Sequence, residues 1–298
     1  MIQFMKYRLL TGLCSLVLFG SFLSTILYRY TRHGEVFSYS IDFTGGTQVL
    51  LKFEQLVSAE AVQIILVEKG LPGVSVREFA NNELLIRVKD FASDAQGLGV
   101  RIRQMVQDAF PDQEILILLS ESVGPGVGEM LRVKSVRAVI FGLIAMLMYI
   151  AVRFWSFAFA VGAVIALFHD AIAILFVFLL FNREISMNII GAILAVLGYS
   201  INDTIVIFSR IRENIAMKKS LSASSLTDIV NVSLNQTLTC TILTSLATTL
   251  SVVSMFLFGG EALFDFSLAL LIGVVFGTYS SIYIASPVMM LLNRGENK

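Results

Sequence analysis

From Leu9 to Leu27 no charged side chain interrupts an apolar run. At ~1.5 Å of rise per residue, that length carries one helix across a ~30 Å hydrocarbon layer. Five more runs of this kind follow, near 134–152, 157–180, 188–208, 237–258 and 266–292. A chain with six of them has to fold with lipid as the solvent for much of its surface. Composition agrees: 56% of the 298 residues are hydrophobic and 15% charged, with a mean hydropathy of +0.80, whereas a water-soluble domain is about a quarter charged. Lys6 and Arg8 precede the first run as in a secretory signal. Tyr28-Arg29-Tyr30 stands where a cleavage site wants small residues, so an uncleaved spanning helix is expected.

Residues 29–132 have the composition of a water-soluble domain, which divides the chain into 1–28, 29–132 and 133–298. Within the middle segment Thr47, Val49, Leu51 and Phe53 alternate with Gln48, Lys52 and Glu54, the period of a half-buried strand. A helix is expected from Ser58 to Lys69, stopped by Gly70 and Pro72. Strands around Val74–Arg77 and Leu84–Lys89 are joined through Asn81-Asn82, a pair that tolerates the left-handed turn conformation. A second helix carries Ile102, Met105, Val106, Ala109 and Phe110 on one face up to Pro111, and Glu114–Leu119 makes the fourth strand. This βαββαβ order predicts a ferredoxin-like α+β domain. Between His33 and Leu131 fourteen Asp and Glu face seven Lys and Arg. That balance repels nucleic acid and excludes it as a partner.

The short loops set the expected orientation. Arg153 follows the second run; Arg210, Arg212, Lys218 and Lys219 follow the fourth; Arg294 and Lys298 end the chain. With Lys6 and Arg8 these place both termini and a loop at 210–235 in the cytoplasm, and the soluble domain outside it. Arg210–Lys219 also suits anionic lipid or a partner's acidic face, although topology alone accounts for it. Cys14 and Cys240 lie in apolar runs and imply no disulfide framework. Two histidines, His33 and His169, are too few for a histidine-rich metal site, and no Gly-Lys pair forms a Walker A loop for ATP. No nucleophile, metal ligand set or cofactor loop marks an enzyme.

An ionisable group costs at least ~2.5–3.5 kcal/mol at mid-bilayer, so each one inside a span calls for a reason. Two stand out, Asp203 in the polar patch Gly198–Thr204 and Asp170 beside His169. Asp203 is read either as a proton-accepting carboxyl or as an interfacial residue bonded to a neighbour's hydroxyl. His169-Asp170 is read either as a proton relay or as a packing hydrogen bond. Counted from the expected span ends, the two carboxyls differ in depth by roughly 12 Å at the helical rise, which excludes an intramembrane aspartyl-protease dyad. The fifth run is rich in hydroxyls, Thr237, Thr239, Thr241, Thr244, Ser245, Thr248 and Thr249, suited to packing or to a hydrated path. In the sixth, Gly273, Gly277, Ser281 and Ala285 recur every fourth residue and permit close approach of another helix.

Four stretches resemble the SecF family, which partners SecD in bacterial protein export and is related to RND-type transporters. They are Asp42-Phe43-Thr44-Gly45-Gly46; Val123-Gly124-Pro125-Gly126-Val127-Gly128; Gly198–Thr204 continuing to Arg210-Ile211-Arg212-Glu213-Asn214; and Asn231–Thr237 with Phe258-Gly259-Gly260. The resemblance implies a membrane all-α half-transporter of six helices with its domain outside the cell's inner membrane. It also implies partnership with SecD and the SecYEG translocon, contact with unfolded exported polypeptide and membrane lipid, and the proton motive force as fuel, with no ATP. Asp203 falls on the family's proton-coupling aspartate, and Asn202, Asp170 and Thr237 are grouped with it. The family's arginine in the fifth span is Cys240 here, and its usual acidic residue is Ser209. Those departures leave open a non-conducting scaffold for SecD and, from another class, half of an RND-type small-molecule exporter.

Overall fold

A computed structural model describes residues 2–34, 36–71, 73–89, 92–218 and 225–296. Pro72, Lys219 and Lys298, named above as helix stop, loop charge and tail charge, lie outside them. The chain forms two compact units, one of residues up to Ser38 and from Arg137 onward, the other Tyr39–Val136.

In the first unit lie helices long and apolar enough to span a membrane, six among the described residues when those reaching into the second are included. We refer to Arg8–His33 as span one, Pro125–Phe154 as span two, Phe157–Leu180 as span three, Met187–Lys218 as span four and Leu226–Phe258 as span five. Span six is Gly260–Ser280, a π-helical turn Ser281–Ala285, and Ser286–Glu296. Spans one and five turn Leu13, Leu16, Leu23, Leu246 and Leu250 outward. An aqueous fold would not leave that much apolar surface bare. Span one packs through Phe22 on Ile172 and Leu179 of span three. At the end of span two, Phe154 stacks on Phe159 and meets Phe208 edge-on, with ring centroids 5.4 and 6.0 Å apart.

Spans four and five run well beyond the lengths expected. Much of the stretch 210–235 read as loop is helix, continuing span four to Lys218 and opening span five at Leu226. Phe208, Ile211 and Asn214 on one, and Ile229, Val230 and Leu234 on the other, are buried at helical spacing. Here an amphipathic face sustains the helix where charge ends the hydropathy signal.

The second unit carries β1 (Gly46–Phe53), α1 (Ala59–Glu68), β2 (Ser75–Phe79), β3 (Glu83–Val88), α2 (Ala95–Gln107) and β4 (Ile115–Val123). These form one antiparallel sheet in the order β2-β3-β1-β4. β1 buries Val49, Leu51 and Phe53 against Val62 and Leu66 of α1 and Ile102 and Val106 of α2, so the alternation in the sequence faces a helix pair. Asp94 caps α2 by accepting from Gly97 N–H at 2.9 Å, and Asn81 and Asn82 both take φ of 61° in the β2–β3 turn. α2 ends at Gln107, short of Pro111, and Phe110 packs on the core from the turn that follows.

Two glycine motifs meet in this unit. A Cβ on Gly128 would lie 3.0 Å from Gly45 N and 3.1 Å from Phe43 O. Gly46, at φ 118°, would place one 2.7 Å from Val88 O, so only glycine fits there. Asp42 and Phe43 sit in the short helix Ile41–Thr44 that Ser40 caps, and the Gly124 carbonyl accepts from Val127 and Gly128 N–H as span two opens at Pro125.

Candidate functional site

Spans four and six meet along a ladder of three rungs. A Cβ on Gly273 would lie 2.1 Å from Val196, and one on Gly277 would lie 3.1 Å from Ser200. The third rung is a hydroxyl pair, Thr204 Oγ1 and Ser281 Oγ at 2.9 Å. The small-residue stripe therefore lets the two backbones approach closely, and it brings polar atoms with it.

Those atoms surround Asp170, which is 0% exposed. Ser200 of span four donates to Asp170 Oδ2 at 2.6 Å and Ser280 of span six donates to the same oxygen at 2.9 Å. His169 Nδ1 lies 3.4 Å from Oδ1. One carboxyl thus ties three spans together. The sequence pointed to His169-Asp170, placed Ser200 in the polar patch and Ser281 on the small-residue stripe, but did not name Ser280 or bring Ser200 to Asp170. The adjacent serines of span six were the signal available.

Asp203, 3% exposed, lies between spans four and five. Thr244 donates to its Oδ1 at 3.3 Å, and Oδ2 has no partner among the described residues. Thr237, grouped with Asp203 on the sequence, instead donates to Ser233 O and Leu234 O of its own helix, two turns from Thr244. Asn202 is exposed, and Gly198 meets nothing within 4 Å of a built Cβ. Cys240 is exposed one turn before Thr244 and presents its carbonyl to it.

The depth expectation needs correcting. Asp170 is level with Ser200, only three residues from Asp203, or ~4.5 Å along the helix, because span four continues past its expected end. The carboxyls still form no dyad, since Ser200 and Ser280 hold one and Thr244 the other.

Beyond the spans' apolar stretch a second polar cluster joins four to five. Arg210 Nε donates to Gln236 Oε1 at 2.8 Å and Nη1 to Glu213 at 2.6 Å. Asn214 donates to Ser233 Oγ and Gln236 Oε1, both at 2.8 Å. Two of the sequence motifs are therefore the two sides of one brace.

Six helices among the described residues, long and apolar enough to cross a bilayer and with carboxyls buried between them, define a multi-pass membrane protein. Residues 102–295 match the family described as protein export membrane protein SecD/SecF, C-terminal, and residues 36–55 match the SecD/SecF GG motif. The chain is 34% identical over 292 residues to the protein translocase subunit SecF of Thermodesulfovibrio yellowstonii, covering 98% of this chain and 94% of that one. Against SecF of Pseudomonas aeruginosa it is 39% identical over 257 residues, covering 86% and 82%. The crystal structure of SecDF from Thermus thermophilus, described as a translocon-associated membrane protein, superposes with a TM-score of 0.84 at 34% identity. That likeness covers all of this chain and 39% of the SecDF chain. The chain belongs to the SecD/SecF family, on its SecF side, and its membrane part is an all-α RND-type half.

Proposed function

We propose that this chain is the SecF-like subunit of a complex with SecD that uses the proton motive force to assist polypeptide export through the SecYEG translocon. The observation that carries the reading is the Asp203 carboxyl, almost wholly buried within span four, with one oxygen held by a single hydroxyl and the other without a partner among the described residues. A carboxyl in such a place gains or loses a proton at the cost of rearranging its neighbours, and that exchange biases how span four packs. Asp170 holds the same helix to spans three and six, so a shift at Asp203 is resisted and transmitted as a unit. Asn202 faces outward beside it, toward SecD in this reading, and Thr237 lies two turns before Thr244 on span five. The ferredoxin-like domain lies outside the bacterial inner membrane, where unfolded chains emerge. No ATP, nucleic acid, cofactor or enzymatic step belongs to the scheme. Asp203→Asn is expected to abolish stimulation of export by a proton gradient in inverted membrane vesicles while leaving the protein's abundance intact; export that still responds to the gradient would discard the proposal.

One observation favours a second reading, a scaffold for SecD that conducts nothing. Position 240 holds a cysteine where the family resemblance implies an arginine, so no cation from span five answers Asp203. Cys240→Arg separates the two. A several-fold rise in gradient-dependent export is expected from a coupling site, and indifference to both substitutions identifies the scaffold.

A further inference from the structure

The chain's first residues are fastened to span five before they enter span one. Asn235 Oδ1 accepts from Ile2 N–H at 2.9 Å and its Nδ2 donates to Ile2 O at 2.8 Å, while Asn231 Oδ1 accepts from Met5 N–H at 2.9 Å. Phe4 and Met5, in the 3-10 turn Phe4–Tyr7, are buried behind that clasp. Beside it lies a cavity of about 360 Å³ lined by Lys6, Arg8 and Leu9 of the N-terminal segment and by Asp228 and Asn231 of span five. Its charges are unanswered. Lys6 and Arg8 have no side-chain partner among the described residues, and the Asp228 carboxylate accepts only from the Ser225 hydroxyl, at 2.7 Å. Asn231, 6% exposed, adds a donor: its Nδ2 has no acceptor among the described residues yet keeps accessible surface, so it opens on the cavity.

We propose that this cavity is the headgroup site of an amino-phospholipid, with the phosphate against Lys6, Arg8 and Asn231 and the ammonium against Asp228. Cations and an amide N–H are the donors that phosphate oxygens take, and basic pockets at the ends of spans hold lipid headgroups. A phosphate alone would set a second negative charge near Asp228 with nothing to offset it, whereas an ammonium on the same molecule pairs with that carboxylate. The lipid source follows from Leu9. It is 82% exposed and heads a stripe on span one with Leu13 and Leu16, 58% and 68% exposed, at helical spacing. An acyl chain leaving the cavity lies along that stripe, which a free phosphate cannot use. Small-molecule sites measure ~300–1,000 Å³, so the cavity takes a headgroup and not a folded partner. Because the clasp fixes the N-terminal wall in advance, less ordering is left to be done on binding.

The test uses the full chain in dodecyl maltoside and a phosphatidylethanolamine bearing a diazirine near the top of one acyl chain. Saturable photolabelling is expected on the tryptic peptide that begins at Leu9. Unlabelled phosphatidylethanolamine is expected to compete about fivefold better than phosphatidylcholine, whose quaternary ammonium has no N–H to donate, and than phosphatidylglycerol, which has no ammonium. Lys6→Gln combined with Arg8→Gln is expected to weaken labelling about tenfold or more, since bonds from two charged donors are lost. Asp228→Asn, which still accepts from Ser225, is expected to keep the labelling and remove the preference for ethanolamine. Neither change touches the clasp, so both variants are expected to melt as the parent does. Labelling that never saturates, that both variants leave unaltered, or that phosphatidylglycerol displaces as well as phosphatidylethanolamine overturns the proposal. Displacement by inorganic phosphate or by chain-free phosphoethanolamine at the same concentration marks a site with no use for the acyl chain and overturns the lipid assignment.

Discussion

Gly273→Leu is expected to leave little folded protein, and the closeness of Gly273 to Val196 explains why. The first side-chain carbon alone would sit 2.1 Å from Val196 Cγ2 and 2.6 Å from Cγ1. Valine on a helix has one strongly preferred rotamer, so Val196 cannot swing aside and the backbones of spans four and six must part. Overpacking in a core costs about 1–3 kcal/mol where side chains can yield, and here the ladder below also suffers. Gly277 against Ser200 and Ser281 against Thr204 are the next two rungs, and parting the helices lengthens both. Val196→Gly in the same chain is expected to restore much of the loss, with a coupling of about 1–3 kcal/mol between two sites in contact. Fluorescence-detected size exclusion in mild detergent over a temperature series reads both variants. Equal melting of Gly273→Leu and the parent would show that the rung is not close-packed.

How legible this arrangement was depends on which physical signal each part leaves in the sequence. The spanning helices announce themselves because lipid demands uninterrupted apolar residues, and span three, expected at 157–180, is observed as Phe157–Leu180. The continuation of span four and the opening of span five were hidden because Ile211 and Ile229 are buried on one face while Arg210 and Asp228 keep the other wet. A window that counts charge stops there. The sheet followed from alternation, but β4 runs on to Val123, where Ser120 and Ser122 replace leucines and the register shifts by one residue opposite Leu50 and Leu51. At the site, scarcity singled out Asp170 and Asp203. Their partners were not readable, because the many hydroxyls of span five look alike until the helix rotation selects Thr244 rather than Thr237. The π-helical turn at Ser281–Ala285 left no mark in residue type.

Asp170→Leu tests whether the three-span junction is held by the carboxyl or only by shape. Leucine keeps the branching of aspartate while the polar change is total, and its methyls push Ser200 and Ser280 back from the 2.6 and 2.9 Å they keep to the carboxyl. Ser200 has a fallback, since a helical serine can turn to the carbonyl one turn back, and Ser280 already shares its hydroxyl with Gly277 O at 3.1 Å. His169 has none. Its Nε2 is unpaired among the described residues and Nδ1 would lose its acceptor, leaving a fully buried imidazole with both nitrogens unmet. Leaving a buried polar group unsatisfied costs about 1–3 kcal/mol, and a loss in that range is expected. Asp170→Asn keeps an acceptor oxygen for the serines and is expected to cost about half as much. Asp170→Leu combined with His169→Leu removes the stranded ring and is expected to recover stability relative to Asp170→Leu alone, because two apolar groups replace two that need each other. Thermal aggregation midpoints of the four proteins rank these outcomes, and a double variant no better than the single would mean that His169 is not what makes the loss of Asp170 costly.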